Sequence, residues 1–179
     1  MRRAVFLDRD GVLNRIAWLA GVPQSPRTVA DFEILPGVSK ACRLLSAAGF
    51  LLIVVTNQPE IARGSLASTQ MRAMHDRLRR NLPDLHDIRI CPHDDADGCV
   101  CRKPRPGMLL DAARDWKLDL SASFMIGDRD KDLLAGRQAG CRVILVGNHP
   151  GTVAPDFSAS DLPAAADWIL SVSPPLLVV

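Results

Sequence analysis

Five short runs of apolar and β-branched residues place the strongest constraint on how this 179-residue chain can fold. They are Val5–Leu7, Leu51–Val55, Ile88–Ile90, Phe124–Ile126 and Val143–Val146. Strands that are apolar on both faces are typical of a parallel sheet covered by helices. We therefore predict that these runs are the strands of one buried sheet.

Segments with helical spacing separate the apolar runs. Apolar residues recur at intervals of three and four residues within segments 38–48, 71–82 and 108–116, and turn signals such as Pro36-Gly37 and Gly140 mark helix ends. Strands that alternate with helices predict a three-layer, Rossmann-like α/β fold with a parallel sheet. The length suits one domain over residues 1–179, with no room for a separate cap.

The composition is that of an ordinary globular protein, and it narrows the possible partners. Lys and Arg outnumber Asp and Glu by only 22 to 20, so the chain lacks the dense positive charge of most nucleic-acid-binding proteins. No apolar stretch approaches the roughly 20 residues that cross a bilayer, and Asp8 and Asp10 interrupt any export signal. We expect a cytoplasmic monomer that binds neither nucleic acid nor membrane.

Two acidic residues follow the first predicted strand directly, in the segment Asp8-Arg9-Asp10-Gly11. The carboxyl ends of parallel strands form the ligand crevice of such sheets, so both carboxylates are expected to face one site. Neighbouring carboxylates repel each other, and a divalent metal or a shared proton usually offsets that repulsion. Taken alone, the segment is explained equally well by an Asp-Gly turn with a solvated acid.

Polar residues at other predicted strand ends and on one loop favour a functional site. Thr56-Asn57 follows the second strand, Arg102-Lys103 lies on a long connection, and Gly127-Asp128 follows the fourth strand, with Asp132 one helical turn later. Acids, a hydroxyl group and cations together predict a site with a metal-binding half and a phosphate-binding half.

Three of the five cysteines cluster with a histidine in the pattern Cys91-x-His93-x₅-Cys99-x-Cys101. Three thiolates and an imidazole would complete a tetrahedral zinc site of the structural kind. Reduced thiols beside a solvated histidine explain the spacing equally well. Cys42 and Cys141 stand alone in apolar surroundings, and we expect both to be core residues.

These motifs resemble those of the haloacid dehalogenase (HAD) superfamily of phosphotransferases. The resemblance covers residues 4–146, and the four superfamily motifs match Asp8-x-Asp10, Thr56, Lys103 and Gly127-Asp128-x₃-Asp132. More narrowly, the chain resembles the branch of histidinol-phosphate and heptose-bisphosphate phosphatases in subfamily IIIA. The segments that carry this narrower resemblance are residues 8–14, 56–58, 61–64, 91–93 and 99–104.

The resemblance implies a chemical role for each acidic residue. Asp8 would be the nucleophile that forms an aspartyl-phosphate, and Asp10 would act as general acid and then as general base. Asp8, the backbone carbonyl of Asp10 and Asp128 would hold Mg²⁺. Asp132 would support this site rather than bind the metal.

The resemblance also implies how the phosphate side and the zinc loop work. Thr56 and Lys103 would stabilise the phosphoryl group, while Asn57 and Arg102 would contact the substrate. The zinc ligands would lie in a loop over residues 91–107, which presents Arg102 and Lys103. They are Cys91, His93, Cys99 and Cys101.

The expected activity is the hydrolysis of a phosphorylated sugar, with D-glycero-D-manno-heptose 1,7-bisphosphate losing its 7-phosphate. Histidinol phosphate, the substrate of the other enzymes in the branch, remains an alternative. The family usually has Ser-Gly where this chain has Pro59-Glu60, so a higher-sugar bisphosphate such as an octose is a further alternative. A catalytically silent, zinc-stabilised binding module is an alternative of another class. Nucleic-acid end processing would need a basic groove, which the sequence lacks. With no cap, the connections over residues 15–35 and 91–107 are expected to shape substrate choice.

Overall fold

The computed structural model of the protein describes residues 1–19, 22–149 and 151–173. The strands are β1 (Arg3–Leu7), β2 (Ala17–Leu19), β3 (Val22–Gln24), β4 (Phe50–Asn57), β5 (Leu85–Cys91), β6 (Phe124–Gly127), β7 (Arg142–Val146) and β8 (Phe157–Ala159). The helices are α1 (Val38–Ala47), α2 (Ser68–Asn81), α3 (Gly107–Trp116), α4 (Asp130–Ala139) and α5 (Leu162–Val172). A 3₁₀ helix spans Asp95–Asp97.

Strand β1 is one of the two central strands of the main sheet. Within the described residues its order is β5-β4-β1-β6-β7-β8, and every neighbouring pair is parallel. The chain runs outward from β1 through β4 to β5 and then crosses to β6 on the other side of β1. Such a reversal opens a crevice at the carboxyl ends of the strands. The predicted three-layer α/β fold is confirmed.

The two faces of the sheet pack against different helices, because alternate residues of each strand point to opposite sides. Val5 and Leu7 join the core under α1, α2 and α5, whereas Ala4 and Phe6 join the core under α3 and α4. All four side chains are fully buried. β1 is therefore fixed from both faces, which fixes the residues that follow it.

The structure contains elements that the sequence analysis left without secondary structure. The segment 15–35 includes an antiparallel hairpin of β2 and β3, in which Trp18 pairs with Pro23. The strands have three residues each, too few for a periodic signal. The C-terminal part forms β8 and α5; Asp161 caps this helix by accepting a hydrogen bond from the Ala164 amide at 2.9 Å. An acidic N-cap followed by Pro163 in the first helical turn is a helix-start signal, and it could have identified α5 from the sequence.

The two isolated cysteines lie in the core as predicted, since Cys42 and Cys141 are both buried. None of the helices in the described residues combines the length and the hydrophobicity that spanning a membrane would require.

Helix α4 lies close to the sheet at Gly136. A Cβ atom added there would lie 2.6 Å from Cβ of Met125 and 2.7 Å from Cγ1 of Val143. Both distances are shorter than carbon atoms tolerate without displacement. The glycine therefore allows α4, which carries Asp132, to pack directly on β6 and β7.

We predict that Gly136→Ala lowers the free energy of unfolding by about 1–3 kcal/mol through overpacking, although alanine is the better helix former. Urea denaturation would measure the change. The matched control is Gln138→Ala, at an exposed position of the same helix. Equal stability of the two variants would contradict this account of the packing.

Candidate active site

A buried lysine joins the end of β1 to the start of α4. Lys103 Nζ donates a hydrogen bond to Asp8 Oδ1 at 2.8 Å and lies 2.7 Å from Asp132 Oδ1. It also donates to the Val55 carbonyl at 2.8 Å. All three charged side chains are buried, so one ammonium group serves two carboxylates away from bulk water.

The charges around Lys103 favour the binding of a further cation. Burial would lower the pKa of Lys103, but Asp132 and Asp8 raise it above its ordinary value, so the ammonium form persists. Burial raises the pKa of Asp8 in spite of Lys103, and the charge of Asp132 adds to that effect. Burial, followed by the charges of Asp8 and Asp132, raises the pKa of Asp128 to about 7. Three carboxylates therefore share a site with one ammonium group.

Two glycines leave space for these acids. A Cβ on Gly11 would lie 2.6 Å from Oδ2 of Asp128, and Gly11 has a φ of +88°, which favours glycine. A Cβ on Gly127 would lie 2.1 Å from Cβ of Asp132. The glycine next to each acidic motif thus allows acids from separate strand ends to meet.

Asp10 lies within a dense set of hydrogen-bond donors. Its carboxylate accepts hydrogen bonds from Asn14 Nδ2 at 2.9 Å, Ser25 Oγ at 2.8 Å, Gln58 Nε2 at 2.9 Å and Arg9 Nη2 at 3.0 Å. Burial would raise the pKa of Asp10, but the charge of Arg9 and these side-chain donors lower it. The resting form of Asp10 is therefore the carboxylate.

Arg9 extends this network into the interior. Its side chain is fully buried, with Nη1 lying 3.2 Å from His75 Nε2 and 3.3 Å from Met71 Sδ. The guanidinium group also lies 5.6 Å from the centroid of the Phe32 ring. Burial, then the charge of Arg9, lowers the pKa of His75 to about 4. Neutral His75 therefore contacts the guanidinium group that binds Asp10. No motif in the sequence indicated this position.

The residues predicted to bind phosphate and substrate differ in what their side chains contact. Thr56 is buried, and its Oγ1 accepts a hydrogen bond from Gln58 Nε2 at 2.9 Å. Asn57 bonds the backbone of Lys103 twice: its Nδ2 donates to the carbonyl at 3.0 Å and its Oδ1 accepts from the amide at 3.1 Å. The side-chain amide of Asn57 thus holds Lys103 in place. Arg102 is held by Asp95 at 2.5 Å.

A cavity of about 330 Å³ opens over these residues. Its lining combines three of the predicted acids with cationic side chains from several loops and from the first turn of α4. The acids are Asp8, Asp10 and Asp128, and the cations are Arg27, Arg63, Arg102, Arg129 and Lys131. Arg27, Arg129 and Lys131 lie at positions that carried no spacing signal in the sequence. Such a cavity can hold an anionic ligand beside a metal ion.

The predicted zinc ligands converge at the end of β5. Five of the six pairs of Sγ and Nδ1 atoms lie 3.2–3.6 Å apart, which is too far for a disulfide of about 2.05 Å. Tetrahedral zinc with bonds of about 2.3 Å would place sulfur atoms about 3.8 Å apart. The spacing therefore fits the predicted zinc-binding group. Its members are Cys91, His93, Cys99 and Cys101.

Comparison with known proteins identifies relatives over nearly the whole chain. Residues 100–167 match the HAD-hydrolase-like family model. D-glycero-beta-D-manno-heptose-1,7-bisphosphate 7-phosphatase from Bordetella bronchiseptica is 37% identical over 94% of this chain and 98% of its own length. The enzyme of the same name from Rhodopseudomonas palustris is 39% identical over 78% of this chain and 80% of its own length.

The chain belongs to the HAD superfamily, in its heptose-bisphosphate phosphatase branch. A solved structure agrees with this HAD assignment. D,D-heptose 1,7-bisphosphate phosphatase from B. bronchiseptica, complexed with magnesium and phosphate, superposes with a TM-score of 0.83 at 33% identity. The match covers 94% of this chain and 98% of that structure. The family that the motifs predicted is therefore confirmed.

Because His75 is buried beside Arg9 and its pKa is lowered, we predict that this HAD fold loses stability as the pH falls. Between the ordinary pKa of 6.5 and the folded value of about 4, the unfolded chain binds a proton at His75 that the folded chain does not. The free energy of unfolding should fall as the pH drops through this window, with a His75 contribution of at most about 1.4 kcal/mol per pH unit.

Urea denaturation of His75→Gln across pH 4–6.5 would test this expectation. The variant should show a shallower pH dependence than the unmodified protein. His149→Gln removes an exposed histidine and should leave the slope unchanged. Parallel pH profiles for the His75 variant and the unmodified protein would contradict the burial argument.

Proposed function

We propose that this chain is a Mg²⁺-dependent phosphatase that removes the 7-phosphate from D-glycero-D-manno-heptose 1,7-bisphosphate. The observation that carries the proposal is the Asp8–Lys103–Asp132 arrangement, with Asp128 and Asp10 facing the same cavity. The relatives that match along most of their length bear the name of this activity. Those relatives favour heptose bisphosphate over histidinol phosphate or an octose bisphosphate.

The acidic side of the site fits Mg²⁺. Carboxylate oxygens of Asp8, Asp128 and Asp132 lie within 4.8 Å of one another. Asp132 is already engaged by Lys103 and by the Arg129 amide, which donates to it at 3.1 Å. We therefore propose Asp8, Asp128 and the Asp10 carbonyl as the ligands, with Asp132 in support. When bound, Mg²⁺ would neutralise these acids and the phosphoryl oxygens.

The reaction divides between Asp8 and Asp10. A carboxylate oxygen of Asp8 attacks phosphorus, the bond from phosphorus to the sugar oxygen breaks, and an aspartyl-phosphate forms. Asp10 takes up a proton from solvent when the phosphoryl anion binds beside it, and gives that proton to the departing sugar oxygen. Asp10 then takes a proton from the water that attacks phosphorus, and phosphate leaves with Asp8 restored. Lys103 and Thr56 would stabilise the negative charge that develops on the phosphoryl oxygens.

We also propose that the cluster of Cys91, His93, Cys99 and Cys101 holds structural zinc. The loop that these ligands would stiffen also carries Asp94 and Asp95. Asp94 accepts two hydrogen bonds from Arg63, at 2.5 and 2.7 Å, and Asp95 binds Arg102 at 2.5 Å. Zinc would thereby fix two guanidinium groups of the cavity, which could receive the phosphate that does not react.

We predict that Asp8→Asn lowers phosphate release from heptose bisphosphate by about 10³-fold or more, because an amide cannot replace the nucleophilic carboxylate. Phosphate release would be measured with heptose bisphosphate, fructose bisphosphate and histidinol phosphate. Asp167→Asn, the same change at an exposed site on α5, should retain full activity.

Activity of Asp8→Asn at the rate of the unmodified protein would overturn the mechanism. A preference of the unmodified protein for histidinol phosphate would instead overturn the substrate while leaving the mechanism intact.

We predict about one zinc ion per chain, lost on Cys99→Ser because a serine hydroxyl is a poor replacement for a thiolate ligand. Elemental analysis of the purified protein would measure the ratio. Cys141→Ala removes a buried cysteine outside the cluster and should retain the zinc. The Cys99 variant should also show a raised KM for the bisphosphate, as Arg63 and Arg102 lose their fixed partners. A protein free of zinc, or one whose zinc survives Cys99→Ser, would contradict the assignment.

A further inference from the structure

Glu60 occupies a fixed position in the turn that follows β4. Its backbone carbonyl accepts hydrogen bonds from the amides of Ser65 at 2.9 Å and Leu66 at 3.0 Å. Pro59, which precedes it, has a restricted backbone. The chain thus presents a carboxylate at a defined place in this turn.

The Glu60 carboxylate lacks a hydrogen-bond donor within the described residues. Its side chain is 18% exposed, and Oε2 is buried without a partner. The nearest cation, Arg63 Nη1, is 3.9 Å from Oε1, which is too far for a hydrogen bond. Arg63 is bound by Asp94 instead. A partly buried carboxylate without a donor is costly, so a ligand donor that reaches this carboxylate from the cavity would bind favourably.

The position of Glu60 restricts the chemistry of that ligand. Glu60 lines the same cavity as Asp8, Asp10 and Asp128. A carboxylate repels phosphate, and the cavity provides arginines for phosphate groups. The remaining part of a sugar bisphosphate is its chain of hydroxyl groups, and each of these can donate a hydrogen bond.

We propose that Glu60 is a specificity-determining residue that accepts a hydrogen bond from a sugar hydroxyl of the substrate. It therefore selects polyhydroxylated phosphate esters over esters of the same length without hydroxyls. This inference rests on the proposed function and assigns the part of the substrate that lies between its phosphates. A simpler rival is that Glu60 only repels anions, in which case it would weaken all phosphate esters alike.

The two accounts can be separated with a pair of substrates that have equal charge. Heptose 1,7-bisphosphate and heptane-1,7-diyl bisphosphate both carry two phosphates, but only the first carries hydroxyls. The unmodified protein should prefer the sugar by about 10–100-fold in kcat/KM, the effect of a hydrogen bond to a charged group. Glu60→Gln should reduce that preference about tenfold, mainly through KM, with kcat/KM for the diyl ester changed by less than about threefold.

Asp167→Asn is the matched control, since it removes the charge of an exposed carboxylate on α5, outside the cavity. It should leave the preference unchanged. An equal change of kcat/KM on both esters in Glu60→Gln, upward or downward, would overturn the proposal in favour of repulsion or a structural role. An undiminished preference for the sugar would also overturn it. Failure of the unmodified protein to hydrolyse heptose bisphosphate would instead overturn the proposed function, and the role of Glu60 with it.

Discussion

The site depends on one ammonium group that two buried carboxylates share. Lys103 reaches Asp8 and Asp132 at 2.8 and 2.7 Å in the absence of bulk solvent. Unpaired charges are expensive to bury, so each member of this trio requires the others. The negative charge that remains, with Asp128 nearby, attracts a divalent cation and then an anionic phosphoryl group. The excess negative charge of these side chains therefore suits a divalent cation and a phosphoryl group, which are the ligands of a phosphatase.

Of the residues around Asp8, Lys103 and Asp132, some are held firmly by the ends of the strands, whereas others are held by a surface loop. Asn57 fixes the backbone of Lys103 from the neighbouring strand end, so the ammonium group has little freedom. Asp10 is held by donors from separate segments, among them Ser25 and Gln58. Two arginines of the cavity, Arg63 and Arg102, are held by Asp94 and Asp95 of the cysteine-bearing loop. Substrate preference can thus change through the loops while the residues that carry the chemistry stay in place.

The sequence predicted well those parts of the molecule whose signal is local. The apolar runs identified the central strands, and acids such as Asp8 and Asp128 could be placed because they follow strands directly. The hairpin of β2 and β3 escaped prediction because its strands are short. Arg9 and His75 meet across 66 residues of sequence, and no local pattern encodes that contact. Asn57 lines the cavity where substrate contact was expected, and its amide also bonds the Lys103 backbone, a partner that only the fold reveals.

The crossing of the chain from β5 to β6 also affects how the protein can be made. Asp8 and Lys103 are 95 residues apart, and Asp132 lies beyond both. A nascent chain that has not yet left the ribosome as far as α4 has no complete set of partners for its central lysine. The reactive centre therefore cannot be complete before α4 has been synthesised.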